Sequence, residues 1–467
     1  MNLALVLLAV YSVLLIAVGL GIARLVRGAG DFFVAGRRLT TSLLFSTVLA
    51  ANIGAGSTIG ATGQAYREGL SAWWWNGSAA IGSLFLAFLV GPRVWRIAKD
   101  RGLYTVGDYL EWRFSASVRG VVAVLIWVGT LFILAGQLIA GAAILEVVAG
   151  LPRWSGALIG GVVMTAYFVA GGLLSSAWVN LVQLVVLLGG FVIAVPLVIS
   201  SVGGLDMIRA VSQTTPGYGD FFFSSGPGSG WAFLFLLAPG FVISPGLVQK
   251  VYGAQDERTV RLGVGIQAIV LMGFSFLPVA IGMAARAAHP GITADPTVLP
   301  IMFTEHLNPF IGGLGLAAVF SAEVSTCDAI LFMLATSLSQ DLYKRFVNPA
   351  VSDSQLLSVA RIASLVGGAL GVALAIALPP SVIGALSIFY SLLAVSLFVP
   401  VLGGLFSTRA GSREAFAAIA AGVLVRVGLQ VFNAGRGIGI LDPTLLGTAA
   451  AAVAFFVSLA LPSPRRT

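Results

Sequence analysis

The sequence predicts an all-α polytopic membrane protein of about thirteen transmembrane helices, built around two inverted five-helix repeats. Hydrophobic residues make up 58% of the 467-residue chain and charged residues only 9%, which is more apolar surface than a soluble fold can bury. Apolar runs of about twenty residues, the length that crosses a bilayer, recur along the whole chain. Two of these runs are interrupted by glycine or proline at corresponding positions.

Thirteen apolar segments have the length of a membrane span. The first has no basic residues ahead of it and no small-residue cleavage site, so we expect a retained span rather than a signal peptide. If the N-terminus is outside, most of the 26 Lys and Arg residues, Lys250 among them, fall in inner loops, as the positive-inside rule requires. The thirteen segments comprise residues 2–24, 41–66, 70–92, 120–148, 155–172, 176–200, 230–252, 262–287, 311–338, 356–378, 382–407, 413–432 and 443–461.

The net charge of +8 therefore reflects orientation in a cytoplasmic membrane, with the N-terminus outside and the C-terminus inside. The lipid bilayer is an expected partner and nucleic acid is not. Cys327 is the single cysteine, which excludes disulfides within the chain. The sequence indicates no particular oligomeric state.

Two spans are interrupted inside their apolar stretch. The second span contains "AANIGAGSTIG" (residues 50–60), and the seventh contains "FLLAPGFVISPGLVQK" (residues 235–250). In the seventh span, Pro239 and Pro245 are each followed by glycine, so the sequence predicts two interruptions there. Because these spans are five apart, they cross the membrane in opposite directions. Such broken helices in inverted repeats are typical of secondary transporters, whose freed backbone groups bind ions and solute near the midplane. The alternative is that the glycines serve close packing of membrane helices.

This pattern predicts a single membrane transport domain over residues 1–467. Each inverted repeat opens with a broken helix, and the remaining spans lie at the periphery. The predicted parts are residues 1–40 as a peripheral first helix and inner loop, 41–229 as the first inverted repeat, 230–411 as the second, and 412–467 as two peripheral C-terminal helices.

The ninth span carries two adjacent hydroxyls. At about 100° per residue, Ala322, Ser325 and Thr326 share one arc of the helix, while Asp328 flanks that arc and Glu323 lies beyond Thr326. Neutral hard oxygens suit an alkali cation that must also be released. The alternative is that both hydroxyls bond to their own backbone. The two carboxylates favour a functional pathway, because ionisable groups in lipid are costly.

Together these motifs resemble the sodium:solute symporter family, which contains bacterial proline, pantothenate, sialic acid and sugar symporters. The resemblance covers most of the chain and implies a LeuT-like core. Matching stretches are "DFFVAGRRL" (31–39), "ANIGAGSTIG" (51–60), "YTVGDYLEWRF" (104–114), "GGLLSSAWVNLVQ" (171–183), "VQKVYGAQDERTVRLG" (248–263) and "SAEVSTCDAILFMLATSLSQDLY" (321–343).

The resemblance implies a sodium site between the second and ninth spans. Its ligands would be the backbone carbonyls of Ala50, Ile53 and Ala322 and the hydroxyls of Ser325 and Thr326. The implied function is sodium-coupled symport of a small polar organic solute by alternating access, with sodium as the coupling ion.

An alternative within transport is proton coupling through Asp328 or Glu323. The chain is not expected to be an enzyme. His289 and His306, which share one outer loop, lack the spacing typical of zinc sites, and we expect both to be solvated.

One departure from the family pattern concerns a second ion site. Asn180 stands where the family usually has an aspartate, and Asp328 and Ala329 stand where members with a second sodium site have hydroxyls. We therefore expect Asn180 and Asp328 to form a second polar site, for sodium or a proton. The alternative is a structural hydrogen bond between the two side chains.

The solute is expected beside the break of the second span. Candidate contacts are Ser57, Asn76, Gln137 and Phe241, and the acidic contact of sugar symporters is missing. The sequence leaves three classes of solute possible: a small amino acid, a carboxylate or another compact polar solute. The tryptophans of "AWWWNGS" (residues 72–78) are expected to form an interface belt.

Overall fold

Helices account for nearly all of the described structure, so the all-α membrane fold is confirmed. The structure, a computed structural model, describes residues 3–23, 34–170, 173–223, 230–433, 438 and 441–462. Within these residues, ten helical runs are long and apolar enough to cross a membrane, and the number thirteen stays a prediction. The α-helices comprise Leu3–Ala23, Thr41–Asn52, Ala61–Glu68, Trp73–Phe85, Gly91–Arg101, Val106–Arg113, Ala116–Ala149, Arg153–Ala170, Leu173–Ser201, Gly204–Thr214, Phe233–Ile243, Pro245–Tyr252, Glu257–Phe274, Phe276–Ala288, Val298–Glu305, Pro309–Thr336, Asp353–Ala377, Val382–Leu393, Val399–Phe406, Ser412–Phe432 and Pro443–Ala460.

Short segments of other helical geometry join or extend these helices. Wider π-type turns are frequent at functional sites, and one of them directly follows the break of the second span. The π-type segments are Gly56–Gly60, Leu86–Val90, Ser337–Val347 and Ala394–Phe398, and the 3-10 segments are Ala35–Arg37, Gly69–Ala72, Gly230–Ala232 and Asp295–Thr297.

Polar caps fix where several helices begin. In the "YTVGDYLEWRF" segment, the Asp108 amide donates to Thr105 Oγ1 at 2.9 Å, and the Thr105 amide donates to Asp108 Oδ2 at 3.0 Å. This reciprocal capping box satisfies two amides that have no partner within the helix. The ninth span starts likewise at Asn308, whose Oδ1 accepts from the Ile311 amide at 2.9 Å. Threonine and asparagine are residue types that are preferred at the N-cap of a helix, so the sequence is compatible with both starts.

The second span breaks where the glycine cluster predicts. Its first half ends at Asn52, and Ile53 adopts φ −101° and ψ 89°, outside the helical region. The Ser57 amide then donates to the Gly54 carbonyl at 3.0 Å instead of to Ile53, its partner four residues earlier in a regular helix. The Ile53 carbonyl is thereby released from the helical pattern.

The seventh span breaks once, although its sequence suggests two interruptions. Pro239 lies inside the helix Phe233–Ile243, which continues past it. The break is at Ser244, with φ −50° and ψ 123°, and the second half starts at Pro245. A proline disfavours the helical conformation of the residue before it and is well tolerated at the first helical position, which explains why Pro245 causes the break.

The ninth span is the central helix of the molecule. Every residue from 315 to 337 is buried. The helix packs against the first, second, fourth, fifth, sixth and tenth spans, so its side chains can meet groups from most of the described core. Its mostly apolar residues, hydrophobic on all sides, suit this position.

The predicted division into repeats and peripheral helices stays a prediction. The helices Ser412–Phe432 and Pro443–Ala460 pack mainly against each other and against residues 394–406. Parts of the predicted inner charge, in residues 24–33 and 463–467, lie outside the described residues.

Candidate ion and solute site

Hydroxyls of the ninth span meet carbonyls of the broken second span. Thr326 Oγ1 lies 3.0 Å from the Ala50 carbonyl oxygen and 3.4 Å from that of Ile53. Ser325 Oγ lies 3.3 Å from the Ala50 oxygen and 3.1 Å from that of Ala322. The five residues that the family resemblance implies as sodium ligands therefore come together in one cluster.

The chemistry of this cluster suits a monovalent hard cation. All five groups are neutral oxygens, and the Ser325 and Thr326 side chains are buried at 2% and 4% exposure. In the described part of the chain, no group of three or more His, Cys, Asp and Glu residues could hold a metal ion. A site without carboxylates favours a singly charged ion, since divalent cations generally take carboxylate ligands.

Gly54 allows the two spans to come this close. A methyl group at its Cα would overlap the Thr326 hydroxyl and would lie 2.8 Å from Gln137 Oε1. Backbone and hydroxyl can approach each other only because glycine has no side chain. The sequence indicated glycine at the break, but only the packing shows that this particular glycine faces the ion cluster.

A small cavity of about 20 Å³ adjoins the ion cluster. The four predicted solute contacts, Ser57, Asn76, Gln137 and Phe241, all line it. Thr326 also lines it, so the ion cluster and the cavity share a wall. The cavity lies between the second, third, fourth, seventh, ninth and eleventh spans.

Hydrogen bonds hold the polar residues of the cavity around the helix break. Gln137 Oε1 accepts from the Ala55 amide at 2.9 Å, and Asn76 Nδ2 donates to the Ser57 carbonyl at 3.0 Å. The Ser57 hydroxyl donates to the Asn52 carbonyl at 2.5 Å. The opposite atoms of the two amides, Gln137 Nε2 and Asn76 Oδ1, can offer one donor group and one acceptor to a solute.

Aromatic side chains form the other wall of the cavity. Phe241 stacks on Tyr390 with ring centroids 5.1 Å apart, and Trp75 meets Tyr390 edge-on at 6.3 Å. Trp75 is 3% exposed, so its assignment to an interface belt is wrong. Sequence reasoning missed Tyr390 altogether, because its place in the eleventh span carries no local signal.

The two residues predicted for a second ion site are both buried. Asn180 Nδ2 donates to Thr47 Oγ1 at 3.3 Å. Lys250, which the charge pattern placed with the inner loops, is also buried and donates to the same Thr47 oxygen at 3.1 Å. The helix Pro245–Tyr252 continues past this lysine, and that is why the assignment to an inner loop is wrong.

Two further polar groups lie outside these clusters. Glu323 is fully buried, and neither of its carboxyl oxygens has a hydrogen-bond partner among the described residues. His289 and His306, expected to be solvated separately, contact each other with their Nε2 atoms 2.8 Å apart. Burial and the neighbouring His289 lower the pKa of His306.

Comparison with known proteins shows the family of the chain. Residues 32–422 match the family model described as the sodium:solute symporter family. The sodium/pantothenate symporter of Escherichia coli (strain K12) is 28% identical over 420 residues, which are 86% of this chain and 85% of the relative. The sodium/glucose cotransporter of Vibrio parahaemolyticus is 26% identical over 405 residues, or 77% of this chain and 72% of the relative.

Solved structures show the same fold. A Na+-coupled sialic acid symporter superposes with a TM-score of 0.82 at 19% identity, over 99% of this chain and 98% of that one. A nucleobase-cation-symport-1 family transporter superposes with a TM-score of 0.61 at 15% identity, over 93% and 94% of the two chains. The LeuT-like fold expected from the sequence is thus confirmed.

Proposed function

Because the chain belongs to the sodium:solute symporter family, we propose that its coupling sodium ion binds at the oxygens of Ala50, Ile53, Ala322, Ser325 and Thr326. The protein is a multi-pass membrane transporter that couples solute movement to sodium. The solute binds in the adjoining cavity, where Ser57, Asn76, Gln137 and Phe241 contact it. The observation that carries this proposal is the contact of both ninth-span hydroxyls with the carbonyl of Ala50, at 3.0 and 3.3 Å.

The shared wall gives a physical basis for coupling. Thr326 belongs both to the proposed ion site and to the solute cavity. An ion held there fixes the broken second span against the ninth span, and a solute bound to the cavity favours the same arrangement. Each ligand then increases the affinity for the other by the same factor.

The small size of the cavity supports alternating access. Ligand sites usually enclose about 300–1,000 Å³, whereas this cavity has about 20 Å³. A solute can therefore enter only when the helices around the cavity move apart. The breaks at Ile53 and Ser244 divide the two helices that line it, so each half can move with a different group of neighbours.

The cavity lining favours a compact polar solute with an apolar part. None of the described residues that line it is charged. Amides and a hydroxyl on one side can pair with polar groups, while Trp75, Phe241 and Tyr390 cover apolar surface. A carboxylate on the solute could be neutralised by the adjacent sodium ion, and the lining offers no acidic contact for a sugar.

A thermal-unfolding screen of the purified protein tests the sodium site and the solute class. We expect sodium to raise Tm relative to choline at fixed pH and ionic strength. One class among amino acids, carboxylates, sugars and vitamins should raise it further, and only with sodium present. A ligand at 100 times its Kd adds about 2.7 kcal/mol to the free energy of unfolding. Equal effects of choline and sodium would contradict the proposal, and dependence on pH instead of sodium would favour proton coupling.

The proposed orientation can be tested with single cysteines. Cys327 is buried, so an added cysteine supplies the accessible thiol. Gly291→Cys and Ser354→Cys change exposed residues in a predicted outer and a predicted inner loop. In right-side-out membrane vesicles, an impermeant maleimide should label Gly291→Cys directly and Ser354→Cys only after permeabilisation. The reverse pattern would place the N-terminus inside.

A further inference from the structure

Two histidines hold the two ends of one loop together. The loop, residues 289–308, connects the eighth and ninth spans and includes the helix Val298–Glu305. His289 directly follows the helix of the eighth span, and His306 directly follows the helix Val298–Glu305. Their Nε2 atoms are 2.8 Å apart, and the two rings meet edge-on with their centroids 5.0 Å apart. This contact closes the loop on itself.

The same loop packs closely against the second half of the broken second span. The Tyr66 hydroxyl donates to the His289 carbonyl at 2.8 Å. A Cβ at Gly63 would lie 2.7 Å from the Asp295 carbonyl oxygen, so no space separates the loop from this helix. The turn that contains Asp295 also contacts the segment Gly56–Gly60, and two residues of that segment line the solute cavity. The loop therefore covers the region next to the cavity.

Hydrogen bonds indicate where the protons of the histidine pair lie. Ser201 Oγ donates to the Val198 carbonyl at 2.8 Å, so it accepts a hydrogen bond from His306 Nδ1, which is 3.0 Å away. With its proton on Nδ1, a neutral His306 has a lone pair at Nε2. His289 Nε2 must then be the donor of the hydrogen bond between the rings. The pair can take up one proton at His289 Nδ1 without losing this bond, whereas a second proton must go to the acceptor, His306 Nε2.

The second proton is incompatible with the contact. It removes the acceptor and places two positive rings against each other, and like charges at this distance repel strongly. Burial and the neighbouring His289 lower the pKa of His306, in agreement with this geometry, while Glu305 acts in the opposite direction. Glu305 Oε2 lies 3.6 Å from His289 Nε2, where it favours one positive charge on the pair but cannot compensate two.

Other titratable groups on the elements around the pair have partners of their own. The sixth span contributes the uncharged Ser201 to the contact. The remaining groups are Arg286 over the Tyr66 ring, Arg67 paired with Asp295, Tyr218 bonded to the Ala65 carbonyl, and Asp206 paired with Arg209. Among the described contacts, Glu305 is thus the carboxylate that acts on the histidines directly.

We propose that the contact between His289 and His306 is a proton-sensitive clasp that holds the 289–308 loop closed beside the solute cavity and releases it in acid. The inference rests on the proposed function of that cavity and adds a regulation to it. As the pH falls below the ordinary histidine value of about 6.5, the released loop takes up a proton at His306 that the closed loop excludes. Acid therefore favours release, by at most about tenfold per pH unit for one proton. The loop lies on the predicted outer side, so the pH of the outer medium controls the clasp.

A buried cysteine within the loop tests its release in the purified full-length protein. Val298 is fully buried at the start of the helix Val298–Glu305. Maleimide labelling of Val298→Cys is divided by that of Gly291→Cys, an exposed residue of the same loop, to correct for the pH dependence of the reagent. The wild type, with the buried Cys327, gives the background. We expect this ratio to rise by about five- to tenfold from about pH 7.5 to about pH 5.5, because the released His306 gains nearly one proton over this range. A ratio that does not change with pH would overturn the inference.

Two variants in the Val298→Cys background separate the clasp from other effects of acid. His306→Gln can accept from His289 through its amide oxygen but cannot gain a proton, so its ratio should stay low at both pH values. His289→Gln tests the same contact from the other side, because a neutral amide can turn and accept from a protonated His306. A rise as large as that of the histidine pair in either folded variant would refute the clasp. The labelling needs neither sodium nor solute, so failure of the sodium site at Ser325 and Thr326 would be recognised separately, from the response of Tm to sodium.

Discussion

Replacing Ser325 and Thr326 together by alanine is expected to abolish sodium-driven uptake. The change removes two of the five oxygens at the proposed ion site and leaves three backbone carbonyls. A hydrogen bond or dipole contact to a charged group contributes about 1.5–3 kcal/mol. Losing two such contacts should weaken sodium binding by at least about a hundredfold, since each 1.4 kcal/mol is a factor of ten.

The first measurement is the sodium concentration that gives half of the maximal increase in Tm of the purified protein. Once a solute is identified, the second measurement is sodium-driven uptake of that solute. Ser364→Ala is the matched control, because this buried hydroxyl of the tenth span donates to its own helix, to the Ala360 carbonyl at 2.9 Å. The control should keep the wild-type sodium response. A double alanine variant that still responds to sodium as the wild type does would refute the proposed site.

Gly54→Ala should eliminate transport by a different route. The added methyl group would overlap the Thr326 hydroxyl and crowd Gln137 Oε1, 2.8 Å away. The neighbouring atoms belong to two tightly packed spans, so the second span must shift away from the ninth. Overpacking of this kind costs about 1–3 kcal/mol, and the displacement separates the carbonyls of Ala50 and Ile53 from the hydroxyls that face them.

Gly189→Ala is the control for the effect of an added methyl group in a membrane helix. Among the described residues, nothing lies within 4 Å of a Cβ at Gly189, so this variant should fold and respond to sodium like the wild type. For Gly54→Ala we expect a lower Tm and loss of the stabilisation by sodium. If Gly54→Ala kept the wild-type sodium response, the close contact between Gly54 and Thr326 would have no role in ion binding.

Local signals in the sequence identified the parts of the site that depend on backbone conformation. The break at Ile53 follows from glycines near the end of an apolar helix, and the break at Ser244 from the proline after it. The Ser325 and Thr326 pair was evident from helical periodicity. Pro239 misled the prediction of a further break, because a membrane helix can continue past a single proline when its neighbours support it.

Contacts between distant spans could not be predicted in this way. Tyr390 reaches the cavity from the eleventh span, and it joins Trp75, which an interface belt would have placed at the membrane surface. His289 and His306, separated along the chain, meet at their ring nitrogens. Each of these contacts depends on how helices are rotated and packed, which no single segment encodes.

The sequence by itself determined the membrane fold, the two broken helices and the shared helical face of Ser325 and Thr326. These features follow from apolar length, glycine and proline placement, and helical periodicity, all of which act within one segment. Only the tertiary structure placed Lys250 beside Thr47, and Gly54 against Thr326. The physical reason is that burial and hydrogen bonding of a side chain depend on which helices pack together, so a lysine that appears to belong to a loop can lie buried in the core.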